Sequence, residues 1–270
     1  MDGNELLKHI DAYLDEVPCS ASTREQVGPF TLFVRHKPGW PYYARPTPGC
    51  TGVTPADIER VRVLQRELGV PEAFEWLADL VPSVGPAAAE SGLDVTEHPL
   101  MHLDILLPAR PPEGFEVRIV TDEDDLAMLH AVAEVSFSDA GTAVGSAGVE
   151  EAEEIVSRGT DAGRLSLMHE RLSAGLTVTA AGFDLTTGKP VAVAAHQPVD
   201  TMTEVVGVAT LPSFRRRGIG AAVTSVLVRD ALTRNCHTVF LSADSGAVAH
   251  VYEGMGFRRV GTAGAAEPPS

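Results

Sequence analysis

The run Thr203-Glu204-Val205-Val206-Gly207-Val208-Ala209-Thr210-Leu211-Pro212-Ser213-Phe214-Arg215-Arg216-Arg217-Gly218-Ile219-Gly220-Ala221-Ala222 decides how this chain folds. Its first part is apolar and β-branched, the mark of a strand. Leu211-Pro212 ends that strand. Three arginines and two glycines follow, and an apolar run with helical spacing comes next. The reading is strand, glycine-arginine loop, helix. Such a loop offers backbone N–H groups at a helix N-terminus, where the helix dipole favours an anion. Gly218 and Gly220 lack the Cβ atoms that would hold a phosphate away from the backbone. Arg215, Arg216 and Arg217 add charge and forked donors. The expected ligand carries a pyrophosphate.

The pattern lacks the Lys-Ser/Thr ending of an ATP-binding P-loop and the Gly-x-Gly-x-x-Gly of a dinucleotide fold. Downstream, His237–Ala243 reads as a buried strand. Asp244-Ser245-Gly246 is a turn, Ala247–Glu253 a short helix, and Gly254-Met255-Gly256-Phe257 its close. The two segments together resemble the GNAT superfamily of acyl-CoA-dependent N-acyltransferases. Arg215, Gly218 and Gly220 match its Gln/Arg-x-x-Gly-x-Gly/Ala signature. Val251-Tyr252-Glu253-Gly254-Met255-Gly256-Phe257 resembles its Leu-Tyr-Glu-Lys-x-Gly-Phe motif. The resemblance covers roughly Phe115 to Gly264. Many members carry Asn just after the fifth strand, and here Asp244 or Ser245 stands instead.

That resemblance implies a mixed α/β fold, a mostly antiparallel sheet flanked by helices. It implies acetyl-CoA as cosubstrate, no metal, and acetyl transfer to a primary amine by direct attack in a ternary complex. Val208, Ala209 and Thr210 would hold the pantetheine through backbone hydrogen bonds, with Val208 N–H facing the thioester oxygen. Arg215, Arg216, Arg217, Gly218, Ile219, Gly220 and Ala221 would hold the pyrophosphate, and Ser245 would add a contact. Tyr252 would protonate the departing thiolate.

The amine must first lose a proton, because a lysine-like ammonium has a pKa of about 10.4. A base near the acceptor nitrogen is therefore required. Glu204 matches the family's general-base glutamate by offset from Arg215. A carboxylate among Val205, Val206 and Val208 is open to a desolvation-raised pKa. His196 is the rival base. Cys236 reads as a buried apolar residue. Two alternatives stay open: transfer of a larger acyl group or to a protein lysine or N-terminus, and a non-catalytic CoA-binding sensor.

Composition sets outer bounds. The chain has 270 residues and 44% hydrophobic content, enough for a full core. Its formal net charge of −16 disfavours nucleic acid as a partner. That charge agrees with steering of a cationic acceptor, and solubility alone explains it more simply. Three widely spaced cysteines form neither a disulfide framework nor a zinc set, which suits the cytoplasm. The N-terminus reads as an amphipathic helix rather than a signal peptide, and no apolar run is long enough to span a bilayer. A homodimer is left open.

Leu107–Gly114 is proline-rich and linker-like, with residues 109–114 taken as the linker between an N-terminal part (1–108) and a catalytic part (115–270). In the second part the sequence predicts strands at 115–120, 176–183 and 190–198. It predicts a helix from Thr121 to Phe137, a mobile Gly/Ala/Ser-rich segment at 138–148, and one or two helices at 149–173. In the first part it predicts helices at 5–14, 54–68, 72–80 and 82–91, and strands at 29–36, 42–45 and 100–106. This part reads as an α/β extension or, by loose resemblance to two-part GNAT proteins, a degenerate second lobe.

Overall fold

A computed structural model describes residues 2–36, 42–139 and 141–269. The chain forms two compact units. The first holds residues up to Met101, with Ser242–Gly246 and the stretch from Arg259 onward. The second holds His102–Leu241 and Ala247–Arg258. Residues 109–114 lie within the second unit. Ala109 N–H there donates to Ser225 Oγ at 2.9 Å.

The first unit opens with helix α1 (Gly3–Glu16), capped by Asp2, whose carboxylate accepts from Glu5 N–H at 2.8 Å. Strands β1 (Ser22–Val27), β2 (Phe30–Arg35) and β3 (Arg45–Pro46) form an antiparallel sheet in that order. Helix α2 (Pro55–Leu68) has a Thr54–Asp57 capping box, proline in its first turn and a left-handed Gly69 at its end. Strand β4 (Phe74–Leu77), helix α3 (Val84–Glu90), strand β5 (Asp94–Leu103) and strand β11 (Phe257–Glu267) complete it, with strand order β4-β11-β5. Phe30, Leu32, Ile58, Val61, Phe74, Trp76 and Val84 build its core.

Two expectations are corrected here. Residues 72–80 are not a helix. Phe74 and Trp76 are buried on one face while Glu75 between them is not, a period of two, and Phe74–Trp76 pair with Gly264–Ala266 of β11. The strand expected at 42–45 contracts to Arg45–Pro46, with a lone bridge from Ala44 to Phe74. Residue 41 and those before it to 37 lie outside the described residues. Strands β1 and β11 add to what the sequence suggested.

The second unit is an antiparallel meander: β6 (Phe115–Ile119), β7 (Val178–Asp184), β8 (Pro190–Val199) and β9 (Met202–Thr210). Strand β10 (Thr238–Ser242) then lies parallel to β9. Helix α7 (Ile219–Thr233) packs across β6 to β9. Gly182 of β7 lies under α7, since a Cβ there would meet the Ile219 side chain at 2.6 Å. Helix α4 (Leu126–Ser138) packs on β8 and β9, with α5 (Val149–Arg158) and α6 (Ala162–Ser173) against it.

Helix α4 starts later than Thr121 suggests. Asp124 accepts from Thr121 N–H at 2.8 Å and takes both Arg118 Nη atoms, which closes a turn. Asp125 then caps the helix through Met128 N–H at 3.0 Å. The last helix, α8 (Gly246–Glu253), ends at a turn whose Gly256 carbonyl accepts from Asp104 N–H at 3.0 Å.

Candidate coenzyme and acyl-transfer site

Strand β9 carries two irregularities that open the sheet beside it. Its ladder with β10 ends at the pair Phe240–Glu204, and among the described residues no pair continues it toward Thr210. Its register with β8 also slips by one residue, since Ala195 faces Val206 while Val193 faces Ala209. Gly207 sits in the slip at φ 62°, a bulge in the left-handed region. A lone glycine in a β-branched run is the sequence signal for such a bulge. Val208, Ala209 and Thr210 follow on the freed edge, and Glu204 stands half-buried where the two strands part.

The chain then turns through Pro212–Phe214 into the arginine loop. Phe214 and Arg215 N–H groups donate to Leu211 and Pro212 carbonyls. Arg216 at φ 63° and Gly218 at φ 83° reverse the backbone, and Gly218 caps α7. Ala222 N–H makes the first helical bond, to Gly218 O at 3.1 Å. The N–H groups of Ile219, Gly220 and Ala221 precede that bond, so they remain the orphan donors of a helix start. The loop thus fits an anion with backbone donors.

The two glycines do different work. A Cβ on Gly218 would meet nothing within 4 Å; its glycine answers to the positive φ. A Cβ on Gly220 would crowd Thr210 Oγ1 at 3.3 Å and Val208 Cγ1 at 3.7 Å, so this glycine lets α7 approach β9. Gly220 thus has a packing reason to be glycine beside the phosphate approach expected of it.

The arginines divide likewise. Arg216 and Arg217 are exposed, and Arg217 lies 5.1 Å above the Phe214 ring. Arg215 is only 9% exposed, and its guanidinium turns inward onto Ser136, Asp139, Ala143 and Thr210. Its side chain has no donor left for a phosphate, so the direct contact expected of it is corrected.

Tyr252 is 7% exposed on α8, its ring edge-on to Phe257 at 5.9 Å between centroids. Burial pushes its phenol up to about 12, so it is protonated at working pH. His196 is fully buried. One ring nitrogen meets Thr203 Oγ1 at 2.9 Å and the other meets Asp230 on α7 at 3.0 Å. Burial lowers its pKa, opposed by Asp230. Both nitrogens are engaged in the α7–sheet interface, which leaves Glu204 as the base candidate on β9. Ser245 lies in the turn before α8, in a segment of the first unit, apart from the loop residues in the chain's division. Cys236 is buried, and burial raises its thiol pKa.

No curated protein matches the chain. Residues 149–257 match the family model of the acetyltransferase (GNAT) family. Among solved structures, the chain is similar to a GCN5-related N-acetyltransferase from Kribbella flavida, with TM-score 0.70 and 19% identity over 98% of this chain and 96% of that one. It is also similar to a putative GNAT-family acetyltransferase from Novosphingobium aromaticivorans, with TM-score 0.55 and 16% identity over 95% of each. A tandem GNAT protein from the clavulanic acid biosynthesis pathway aligns at TM-score 0.50 and 13% identity, over 89% of this chain and 79% of that one. A splayed β9–β10 pair, a bulge at Gly207 and a glycine-arginine loop capping α7 thus sit in a GNAT fold, and residues 149–257 within it match the GNAT acetyltransferase family model.

Proposed function

We propose that the chain transfers an acetyl group from acetyl-CoA to a primary amine, by direct attack while both are bound. The observation that carries this reading is the run of orphan N–H groups at the α7 start, one turn and the arginine loop beyond the freed edge of β9. A ligand that needs both parts has an anionic diphosphate and, beside it, a chain with amide groups for a strand edge. Acetyl-CoA has both. Val208, Ala209 and Thr210 supply the edge. Ile219, Gly220 and Ala221 supply N–H groups, and Arg216, Arg217 and Gly218 shape and charge the loop.

Glu204 takes the proton from the amine at the fork of the two strands. Nitrogen attacks the thioester carbonyl, Val208 N–H stabilises the charge developing on its oxygen, and the attacking nitrogen, now cationic, releases its second surplus proton to solvent. The carbon–sulfur bond breaks, and Tyr252 donates its hydroxyl proton toward the departing sulfur. Solvent returns both side chains to their starting states. A phenol raised to about 12 is a weaker acid than a free thiol of about 8.5. Its part is therefore a hydrogen bond that strengthens as sulfur gains charge, with full transfer favoured only while the thiolate is kept from water.

Acetyl-CoA should raise the thermal midpoint of the wild type by mass action. In Gly218→Val, a β-branched residue forced to φ 83° distorts the helix cap, and the shift should vanish while the midpoint without ligand falls only slightly. An undiminished shift in a folded Gly218→Val protein sinks the loop assignment.

A further inference from the structure

The connection between α4 and α5 is fastened to the arginine loop by one side chain. Arg215 Nη2 donates to Ser136 O at 2.8 Å and Asp139 O at 2.7 Å. Its Nη1 donates to Ala143 O at 3.1 Å and Asp139 Oδ1 at 3.3 Å, and its Nε to Thr210 O at 3.3 Å. A guanidinium has five N–H groups in a planar fork, and every one is engaged. Four of the five acceptors are backbone carbonyls. They lie at the end of α4, in the connection and at the last residue of β9. Two backbone bonds run beside them: Gly145 N–H to Pro212 O at 3.1 Å and Ser213 N–H to Ala147 O at 3.0 Å.

We propose that Arg215 is a positioning residue: a strut that holds the α4–α5 connection and the phosphate loop in one arrangement, so that coenzyme binding and the placement of residues 141–148 are coupled. The coupling rests on the reading of this loop as an acetyl-CoA site. The physical reason is geometric. A buried guanidinium left without its carbonyls is costly, and carbonyls left without it are too. Loop and connection therefore hold or release together. A ligand on the loop N–H groups favours the held state, and by reciprocity the held state favours the ligand. A lysine keeps the charge but has one nitrogen and no fork, so it cannot span these acceptors.

The test combines acetyl-CoA titration with amide hydrogen exchange at Gly145 and Ser213. It uses wild type, Arg215→Lys, Arg215→Gln and Gly145→Ala. The last loosens the connection from its other side, because a Cβ on Gly145 would lie 2.7 Å from Asp139 Oδ2 and 2.9 Å from Pro212 Cβ. Both arginine variants and Gly145→Ala should weaken acetyl-CoA binding on the order of 10-fold. All three should speed exchange at the two amides without ligand, leaving β7 and β8 amides unchanged. In wild type, acetyl-CoA should slow exchange at both. Wild-type affinity in Arg215→Lys with loss only in Arg215→Gln would make Arg215 a charge for the phosphate and overturn the strut. Unchanged exchange at Gly145 and Ser213 in all three variants overturns it as well. A wild type that fails to bind acetyl-CoA overturns the site reading instead, and the ligand-free exchange then decides the strut alone. Should the arginine variants not fold, Gly145→Ala carries the same decision.

Discussion

Glu204 occupies the last rung of the β9–β10 ladder, and its chemistry follows from that place. If it takes the amine proton, Glu204→Gln should lower the transfer rate on the order of 10²-fold near pH 7. The gap should narrow as pH approaches about 10, where free amine is abundant. A mutant with the wild-type pH–rate profile would make Glu204 structural. Tyr252 gives a second profile. Its acid form is the working form and its pKa is raised to about 12, so wild-type turnover should show no tyrosine-dependent fall below about pH 11. Tyr252→Phe keeps the ring against Phe257 and should lower kcat with acetyl-CoA affinity and thermal midpoint near wild type. Loss of midpoint instead would assign the hydroxyl to packing. Motif spacing names Glu204 and Tyr252, and the structure puts one on the last rung of the β9–β10 ladder and the other, buried, on α8. Arg215 was misread as a ligand for the phosphate. Its acceptors are mostly backbone carbonyls some 70 residues upstream, and carbonyls leave no imprint on residue type. His196 could be named but not placed, because its partner Asp230 is on another element.

Elements announced by local chemistry came out close to their predicted bounds. Thr54-Pro55 and Gly69 bracket α2, and the turn at 186–189 joins β7 to β8. Elements defined by distant partners did not. Residues 72–80 follow a proline and hold good helix formers, so they read as a helix; pairing with β11 makes 74–77 a strand. Strand β1 is polar and mostly exposed, and β11 is rich in alanine and glycine, so neither shows a β-branched run. The α4 start was misplaced because Asp124 serves the Arg118 turn rather than the helix. Asp124 is held down to about 2, first by its hydrogen bond to Arg118. A depressed carboxylate stabilises the fold above its unfolded value of about 3.9, and that contribution is lost as pH falls through about 2. Arg118 is 38% exposed, so the pair contributes only about 1 kcal/mol. Asp124→Asn should lower the thermal midpoint by about 3 °C at pH 7, with the deficit shrinking between about pH 4 and pH 2. A deficit independent of pH would mean that the ion pair is not its source.

At the scale of the molecule, the second unit was readable because its motifs fix strand, loop and helix in order. The first unit lacks such a motif and was readable only piecemeal. The division of the chain was hidden too, since Ser242–Gly246 and the residues from Arg259 return to the first unit. No sequence signal marks that return. The formal net charge is −16, and the two exposed arginines of the loop, Arg216 and Arg217, are a local positive exception to it. The central claim is acetyl transfer to an amine, and the most direct measurement is thiol release from acetyl-CoA with and without a panel of primary amines, the amines then weighed for an added acetyl group. The account predicts free CoA thiol only when an amine is present, in equal amount to acetylated amine, and strongly reduced in Glu204→Gln. Tight acetyl-CoA binding with no thiol released by any small or protein-borne amine would contradict it and leave a coenzyme-binding sensor in its place.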